Sequence, residues 1–371
     1  MTSQQDTQAI FFSLLRAGLW EQDCQPAPEA TEWRAVFGLA GEQSVTGLVA
    51  AGLEHMAGSV PKADLHPFLM RVLAMEETNV RMNRFIAELM EQLRAQGIKA
   101  CLVKGQGIAQ CYERPLWRAC GDVDLLLDAE NYDKAKAFLP TIASKVEKED
   151  SSVKHLAMTI GSWEVELHGT LRGGVSEQMD RMIDEVQVET CSNDQVRIWN
   201  NNGTEVPLPT MDNDIIFIFT HFLKHFFKGG IGLRQICDWC RLLWTYRDSI
   251  DLKLLARRLD DMGLRSEWKA FAAFAVQDLG MPVEAMPFYD AAPRWKRKAR
   301  RIRAFILRVG NFGHNRDMSY YRKYPFLVRK TISLGRRLAD FATHVLIFPL
   351  DSLSFLPRVL INGFRAAMKG V

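Results

Sequence analysis

The sequence predicts an α+β fold, in which a small mixed sheet with flanking helices lies between an N-terminal helical segment and a C-terminal helical domain. Three observations support this fold class. Apolar residues recur at helical spacing before residue 98, short apolar runs of strand length alternate with helical patterns over residues 98–205, and helical periodicity resumes at Asp212. We therefore divide the chain into residues 1–97, 98–205, 206–290 and 291–371.

The N-terminal segment, residues 1–97, is predicted to be helical. A long helix that starts near Pro67 carries apolar residues at the i, i+3, i+4 and i+7 positions of one face, namely Ile86, Leu89, Met90 and Leu93. Gly97 is expected to end this helix, because glycine adopts the left-handed conformation of a C-terminal cap without strain.

Residues 98–205 begin with a strand, a turn and a short helix. The apolar run 98–103 has strand length, and the turn Lys104-Gly105-Gln106-Gly107 leads into a predicted helix over residues 108–112. A loop with Pro115 then leads to a second strand over residues 123–127.

A helix and a hairpin complete this segment. Asp128 is placed to cap the helix, because its side chain can accept a hydrogen bond from a backbone N–H group of the first turn. Two more strands, 153–160 and 163–168, are joined by Gly161 and Ser162. The segment therefore predicts a compact unit that ends in a hairpin.

The rest of the chain is predicted to be helical. Successive helices of the domain 206–290 are expected over residues 215–227, 235–244 and 252–264. The region 291–371 is basic and amphipathic, and prolines interrupt it at Pro325, Pro349 and Pro357.

Basic residues are concentrated in this last region. From Arg294 onward the sequence contains 18 lysines and arginines but only three acidic residues. The rest of the chain contains 29 basic and 41 acidic residues. One interpretation is an anionic partner. This could be nucleic acid, contacted by the basic cluster around Trp295, a phosphorylated glycan, or an anionic membrane surface. The alternative is that the region packs on the acidic body of its own chain.

The overall composition is that of a folded protein of 371 residues, with 47% hydrophobic and 25% charged residues. No run approaches the ~18 apolar residues of a membrane span, and the N-terminus lacks the basic and apolar regions of a signal peptide. Seven cysteines without regular spacing favour reduced thiols. We therefore expect a cytoplasmic protein, peripheral to the membrane if the basic region binds one.

Asp122 and Asp124 are the first candidate site residues. They stand one residue apart at the start of a predicted apolar strand, so both carboxylates point to the same face, with Cα atoms about 6.6 Å apart. Burying two like charges is costly unless a cation lies between them. Paired carboxylates of this kind commonly hold Mg²⁺ for phosphate chemistry.

A third carboxylate comes from the strand 163–168. Its residues alternate strictly, so Glu164, Glu166 and His168 share one face. If this strand lies beside 123–127, then Glu166 joins Asp122 and Asp124 in a cage for one or two Mg²⁺ ions.

Lys104 and Gly105 are candidates for binding phosphate. A glycine between strand and helix lets backbone N–H groups approach an anion, and the lysine adds a point charge. An ordinary strand-to-helix turn is the alternative. Arg118 is expected to pair either with a phosphate or with the acidic face of the strand.

These motifs resemble a known family. The order Leu-Val-Lys-Gly, then Arg, then Gly-Asp-Val-Asp-Leu-Leu-Leu, then Val-Glu-Leu-His is similar to that of the uncharacterised nucleotidyltransferases within the DNA polymerase β-like nucleotidyltransferase superfamily. The matching positions are Lys104, Gly105, Arg118, Asp122, Asp124, Glu166 and His168. The chain departs from the superfamily at Lys104-Gly105, where Gly-Ser is usual, and at Glu166, where Asp is commoner.

The resemblance implies a minimal nucleotidyltransferase fold, Mg²⁺, and transfer of a nucleoside monophosphate from an NTP, expected to be ATP, to an unidentified hydroxyl or phosphate acceptor. Asp122, Asp124 and Glu166 would be the catalytic metal ligands. Lys104, Gly105, Arg118 and His168 would bind the nucleotide. The alternatives are a non-catalytic module that binds a nucleotide or partner, and phosphoryl transfer in surface-polysaccharide assembly.

Several histidines and cysteines are further candidates for a functional role. His168 could bind the metal, position the acceptor or act as a base, or be a strand histidine bonded to an acid. His221 and His225 have the spacing of paired zinc ligands, but contact with the nucleotide or acceptor, together with Lys224 and Lys228, is the favoured interpretation. Cys237 and Cys240 are expected to be buried thiols.

Two charged residues share the predicted helix that contains the cysteine pair. Arg234 and Asp238 stand four residues apart. They could therefore form a pair within the helix, or they could line a cleft between domains.

Overall fold

The computed structural model describes residues 2–151, 153–192, 195–228, 230–311 and 326–349. The helices before the sheet and within it are α1 Thr2–Trp20, α2 Trp33–Glu42, α3 Thr46–Glu54, α4 Lys62–Ala95, α5 Gly105–Ala109, α6 Ala129–Phe138 and α7 Glu177–Cys191. The helices that follow are α8 Met211–Lys228, α9 Leu233–Thr245, α10 Leu252–Asp261, α11 Arg265–Asp278, α12 Pro293–Val309 and α13 Phe326–Ile347. The strands are β1 Cys101–Val103, β2 Asp122–Leu126, β3 Lys145–Val146, β4 His155–Ile160, β5 Trp163–His168, β6 Val196–Asn201 and β7 Thr204–Pro209.

Strands β1 to β5 form one mixed sheet in the order β1-β2-β5-β4-β3. The pair β2–β5 is parallel, and the other neighbouring pairs are antiparallel. A parallel pair needs a long crossover, which here contains α6, β3 and β4. The predicted α+β fold with a small mixed sheet and flanking helices is therefore confirmed.

The two faces of this sheet are chemically different because side chains alternate along each strand. Val123, Leu125, Val165 and Leu167 pack in one core with apolar residues of α4 and α6. The opposite face carries the acidic residues of β2 and β5. Its apolar positions, such as Val103 and Leu126, belong to a second core together with the C-terminal helices. The acidic face is thus turned toward the helical domain.

The N-terminal helices belong to that second core. Side chains of α1, α2 and α3 pack in it with those of α8, α9, α11 and α12. Glycines allow α1 and α3 to cross closely, because a Cβ atom on Gly52 would lie 2.0 Å from the Leu14 carbonyl oxygen. A Cβ on Gly18 would likewise lie 1.9 Å from the Leu48 oxygen. The four-range division of the chain stays a prediction.

The hairpin β6–β7 was not predicted from the sequence. Asn202 and Gly203 form its two-residue turn with φ angles of 52° and 96°, as a tight hairpin turn requires. The side-chain amide of Asn201 donates to the Asn83 carbonyl oxygen of α4 at 2.7 Å. Val206 and Leu208 pack in the same core as Val123 and Leu125.

Several element boundaries differ from the prediction. The short helix starts at Gly105, directly after Lys104, rather than at residue 108, and α4 starts at Lys62. The short edge strand β3 was also not predicted. Asp128 caps α6 as expected, since its side chain accepts a hydrogen bond from the Asn131 N–H group at 2.8 Å.

The basic region is only partly described. Helix α12 buries an apolar face and exposes basic side chains such as Lys296, Arg297 and Arg300. Residues 312–325 and 350–371, with Pro325, Pro357 and the apolar run 350–360, lie outside the described residues. Within the described part of the chain, no helix is both long and apolar enough to span a membrane.

Candidate functional site

Asp122 and Asp124 lie on β2, and the parallel neighbour β5 brings two glutamates beside them. In this register Asp122 is the partner of Glu164, and Asp124 is the partner of Glu166. All four side chains lie on the face of the sheet that is turned toward the helical domain, since their apolar neighbours occupy the other face. The two strands therefore lie side by side, which is the condition on which the three-carboxylate cage depends.

Lys104 provides a cation at the centre of these carboxylates. Its Nζ lies 2.8 Å from Asp124 Oδ1. The residue has φ 58° and ψ −143°, a region that side chains rarely occupy, and Gly105 follows with φ 39°. A Cβ atom on Gly105 would lie 3.2 Å from Cys120 Sγ, so glycine also fits the space. Such backbone strain, about 1–3 kcal/mol per residue, clusters at functional sites.

Two histidines complete the group. His168 Nε2 lies 2.6 Å from Asp124 Oδ1 and 3.3 Å from Glu166 Oε2. His155 Nε2, on the antiparallel neighbour β4, lies 3.1 Å from the same Glu166 oxygen. Among the described residues, His155, Glu166 and His168 form a group whose ligand atoms all lie within 4.8 Å of one another.

The surroundings shift the pKa values of the carboxylates in opposite directions. Burial, and then the nearby Asp124 carboxylate, raises the pKa of Asp122. Burial also favours a higher pKa for Asp124, but the Lys104 charge and the hydrogen bond from His168 outweigh it and leave this pKa lowered. Hydrogen bonds from His155 and His168 lower the pKa of Glu166. Among Asp122, Asp124 and Glu166, negative charge is therefore least compensated at Asp122.

Helix α8 carries the basic side chains of His221, Lys224 and His225, and the charge of Lys104 affects all of them. Burial, then the positive charge of Lys104, lowers the pKa of Lys224 to about 8, and the Glu166 and Asp124 carboxylates act on it in the opposite sense. The rings of His221 and His225 lie 4.6 Å apart on the same helix. Burial, then Lys104, lowers the pKa of His221. The field of Lys104 therefore reaches this face of α8.

Arg118 lies apart from the carboxylates of β2. Its Nε and Nη2 atoms donate to the two oxygens of Asp238 on α9, at 2.9 and 2.7 Å, and both side chains are buried. Tyr112 also donates to Asp238, at 2.8 Å. Arg234 does not pair with Asp238 in this arrangement, since its Nη1 donates to the Ala119 carbonyl oxygen at 2.6 Å. These contacts attach the loop before β2 to the helical domain.

The predicted site residues therefore fall into two places. The structure brings together Lys104, Gly105, Asp122, Asp124, Glu166 and His168. Arg118 stands in the ion pair with Asp238. Cys237 and Cys240 are buried free thiols. The roles of all these residues stay predictions.

His155 is the site residue that the sequence prediction missed. The predicted turn at Gly161-Ser162 already implies it, because counting outward from a two-residue turn places His155 opposite His168. The structure has this register.

The donor set fits the divalent ion that the resemblance implies. Three carboxylates, from Asp122, Asp124 and Glu166, lie on one face, and Mg²⁺ prefers oxygen ligands of this type. The raised pKa of Asp122 marks a position where further positive charge is favoured.

Comparisons with known proteins gave one family match and one structural match. A model of the family described as uncharacterised nucleotidyltransferase matches residues 29–279. The crystal structure of an antigenic nucleotidyltransferase-like protein from Paracoccidioides brasiliensis is similar at 14% sequence identity and a TM-score of 0.32. That similarity covers 54% of this chain and 93% of the other. No curated protein matches the chain significantly.

Proposed function

The chain belongs to the uncharacterised nucleotidyltransferase family, and from this premise we propose that it is a Mg²⁺-dependent enzyme that transfers AMP from ATP to a hydroxyl or phosphate group of an acceptor. The observation that supports this proposal best is the register of β2 and β5. It places the carboxylates of Asp122, Asp124 and Glu166 on one face of the sheet, beside Lys104.

Asp122, Asp124 and Glu166 would hold the metal. Bound Mg²⁺ would neutralise charge on the phosphates and polarise the phosphoryl group that is attacked. Phosphoryl and nucleotidyl transfer require mainly positioning and electrostatic stabilisation, which carboxylates on a rigid sheet are suited to provide. Glu166 would in addition orient the acceptor hydroxyl.

Lys104 and the Gly105 amide would bind the triphosphate. Lys104 Nζ lies 2.8 Å from Asp124 Oδ1. With a divalent ion held by the carboxylates, Lys104 would be available to bind a phosphate oxygen of ATP. His168 would support this arrangement through its 2.6 Å contact with Asp124.

Helix α8 would close the nucleotide site from the other side. The charges of Lys104 and Glu166 both affect the pKa of Lys224. We therefore propose that it contacts a phosphate, with His221 and His225 beside it. Arg118 would act indirectly, by holding the loop before β2 through Asp238.

We further propose that the enzyme works in the cytoplasm and that its basic region binds an anionic partner, either nucleic acid or a membrane surface. Exposed Arg300 of α12 supports this assignment, because it lines a cleft of about 470 Å³ with Arg303 and Arg308. Co-sedimentation with RNA and with anionic liposomes, at low and high salt, tests it. Failure of both to bind the protein would favour packing on its own chain, to which the Arg303–Asp278 pair at 3.1 Å already contributes.

Calorimetric titration of ATP, with and without Mg²⁺, tests the nucleotide site. We expect Mg²⁺-dependent binding to the wild type, and its loss in the double variant Asp122→Asn/Asp124→Asn. Asp133→Asn, which removes an exposed carboxylate on α6, serves as the matched control and should bind normally. Unchanged binding in the double variant would contradict the metal assignment.

Labelled NTPs incubated with the protein and cell extract test the transfer itself. A labelled acceptor that forms with the wild type and not with the double variant would support the enzyme. Binding of Mg²⁺ and ATP without any transfer would instead favour the alternative, a non-catalytic nucleotide-binding module. Transfer of the terminal phosphate, rather than of AMP, would favour a phosphotransferase acting in polysaccharide assembly.

A further inference from the structure

The geometry points to a second metal site on the same sheet: we propose that His155, Glu166 and His168 bind a first-row transition-metal ion of the Zn²⁺ class. This site goes beyond the proposed function, because it does not require the protein to transfer a nucleotide. Its ligands come from two neighbouring antiparallel strands, β4 and β5.

The three ligand atoms already converge. His155 and His168 are direct cross-strand partners, so their side chains lie on the same face, and their ring centroids are 5.0 Å apart. Both Nε2 atoms approach the same Glu166 oxygen, at 3.1 and 3.3 Å. In a tetrahedral zinc site, with ligand atoms about 2.1 Å from the ion, two ligands are about 3.4 Å apart. The observed separations are close to this value.

The chemistry of the donors favours a transition metal over Mg²⁺. Two of the three donors are imidazole nitrogens, which suit Zn²⁺, Co²⁺ and Ni²⁺, whereas Mg²⁺ prefers oxygen ligands only. Three protein ligands would leave one coordination position open, as in catalytic zinc sites. An ion bound at His168 Nε2 would replace the 2.6 Å contact of that atom with Asp124 Oδ1. The oxygen-rich pair Asp122 and Asp124 lies on the neighbouring strand β2, on the other side of Glu166.

Glu166 therefore connects two sites of different chemical character. The candidate ligands on β2 are carboxylates, whereas those on β4 and β5 beside Glu166 are the histidines His155 and His168. Glu166 would therefore serve as a ligand both with Asp122 and Asp124, for a hard ion, and with the histidines, for a softer ion. Enzymes of phosphate chemistry use metal pairs about 3.5–4 Å apart in this way.

Co²⁺ binding to the full-length protein, stripped of metal with a chelator, tests the second site. We expect one equivalent of Co²⁺ to give a visible absorption band that Zn²⁺ abolishes and millimolar Mg²⁺ does not. His155→Gln should weaken Co²⁺ binding at least tenfold. His66→Gln, which changes an exposed histidine of α4, is the matched control and should leave the titration unchanged.

Two further measurements keep the test decisive. His155→Cys replaces one zinc ligand by another and should retain Zn²⁺ binding. X-ray absorption of the Zn²⁺-loaded wild type should show scattering from two imidazoles, even if the variants fail to fold. Co²⁺ that does not bind, or binds equally to the wild type and His155→Gln, would overturn the proposal and leave a hydrogen-bonded cluster only.

The two proposals can fail independently. Asp122→Asn should lose Mg²⁺-dependent ATP binding and still give the Co²⁺ band, because Asp122 is not a ligand of the second site. A wild type that binds Co²⁺ but never ATP would refute the nucleotidyltransferase proposal and leave the second site in place.

Discussion

Asp124 on β2 and Glu166 on β5 are direct partners in a parallel register, and each is neutralised by side chains of its own chain. Lys104 and His168 contact Asp124, while His155 and His168 contact Glu166. For Asp122, burial and the neighbouring carboxylates dominate, and they raise its pKa. The negative charges of Asp124 and Glu166 are therefore compensated within the site, whereas that of Asp122, the third proposed metal ligand, is not.

Asp122→Asn is expected to make the metal-free protein more stable while abolishing its response to Mg²⁺. A carboxyl group whose pKa is raised by folding destabilises the folded protein in its charged form. This loss of stability appears as the pH rises from about 3.9, the ordinary pKa of Asp, through the raised value, and it persists at neutral pH. Thermal unfolding in chelator at pH 7 should show a melting temperature a few degrees above that of the wild type.

Two comparisons check this explanation. The advantage of Asp122→Asn should vanish below the ordinary pKa of aspartic acid, where both proteins are uncharged at this position. Saturating Mg²⁺ should raise the melting temperature of the wild type only. A variant that is less stable than the wild type at neutral pH would show that Asp122 is well compensated.

Lys224 is expected to make ATP binding sensitive to pH. Its pKa of about 8 means that the ammonium is charged at pH 7 and largely neutral at pH 9. Loss of one charge-assisted hydrogen bond, worth about 1.5–3 kcal/mol, would lower affinity by roughly 10- to 100-fold. Calorimetry should therefore show affinity falling as the pH rises above 8.

Lys224→Arg should retain its affinity at pH 9, because a guanidinium stays charged. The exposed Lys253 of α10 offers the control, and Lys253→Arg should follow the wild-type pH profile. Identical profiles for the wild type and Lys224→Arg would place Lys224 outside the nucleotide site.

Arg118→Ala is expected to destabilise the protein rather than only weaken nucleotide binding. The substitution leaves the buried Asp238 carboxylate without its bidentate partner. Breaking one side of a buried ion pair costs about 3–5 kcal/mol. Urea unfolding should show a loss of this size.

The double variant Arg118→Ala/Asp238→Ala separates the pair from its surroundings. Because neither charge is then left buried alone, the double variant should lose less stability than the sum of the two single losses. Additive losses would mean that Arg118 and Asp238 act on stability independently.

Gly52→Ala is expected to disrupt the crossing of α1 and α3. The new methyl group would overlap the Leu14 carbonyl oxygen, so the helix backbones must separate, at a cost of at least ~2 kcal/mol. Gly38→Ala on α2 is the matched control, because a Cβ there meets no atom within 4 Å. The control should gain about 0.5–1 kcal/mol from helix propensity. Equal effects of the two changes on the urea midpoint would contradict the close crossing.

The sheet could be predicted from the sequence where side-chain alternation is strict. The strand 163–168 has the observed bounds, because its acidic and apolar residues alternate without exception. The same alternation identified the face that carries Glu166. The hairpin β6–β7 is hard to predict because it contains Pro207 and Pro209, and proline is excluded from central strands, although this two-stranded ribbon accommodates both. The turn at Asn202-Gly203 was the better indication.

The partners of individual side chains were less predictable. Arg118 is only four residues before Asp122, but its partner Asp238 is 120 residues away. Nothing in local spacing reveals such a contact, since it depends on how α9 packs against the loop.

The short edge strand β3 gives the molecule a practical site for insertion. Lys145 and Val146 are both exposed and form the outermost strand of the sheet, two strands away from β5. So short an edge offers few unpaired backbone groups to another chain. A peptide tag or fluorescent reporter inserted after Val146 should therefore leave the interior strands undisturbed, and would allow ligand binding to be followed by energy transfer.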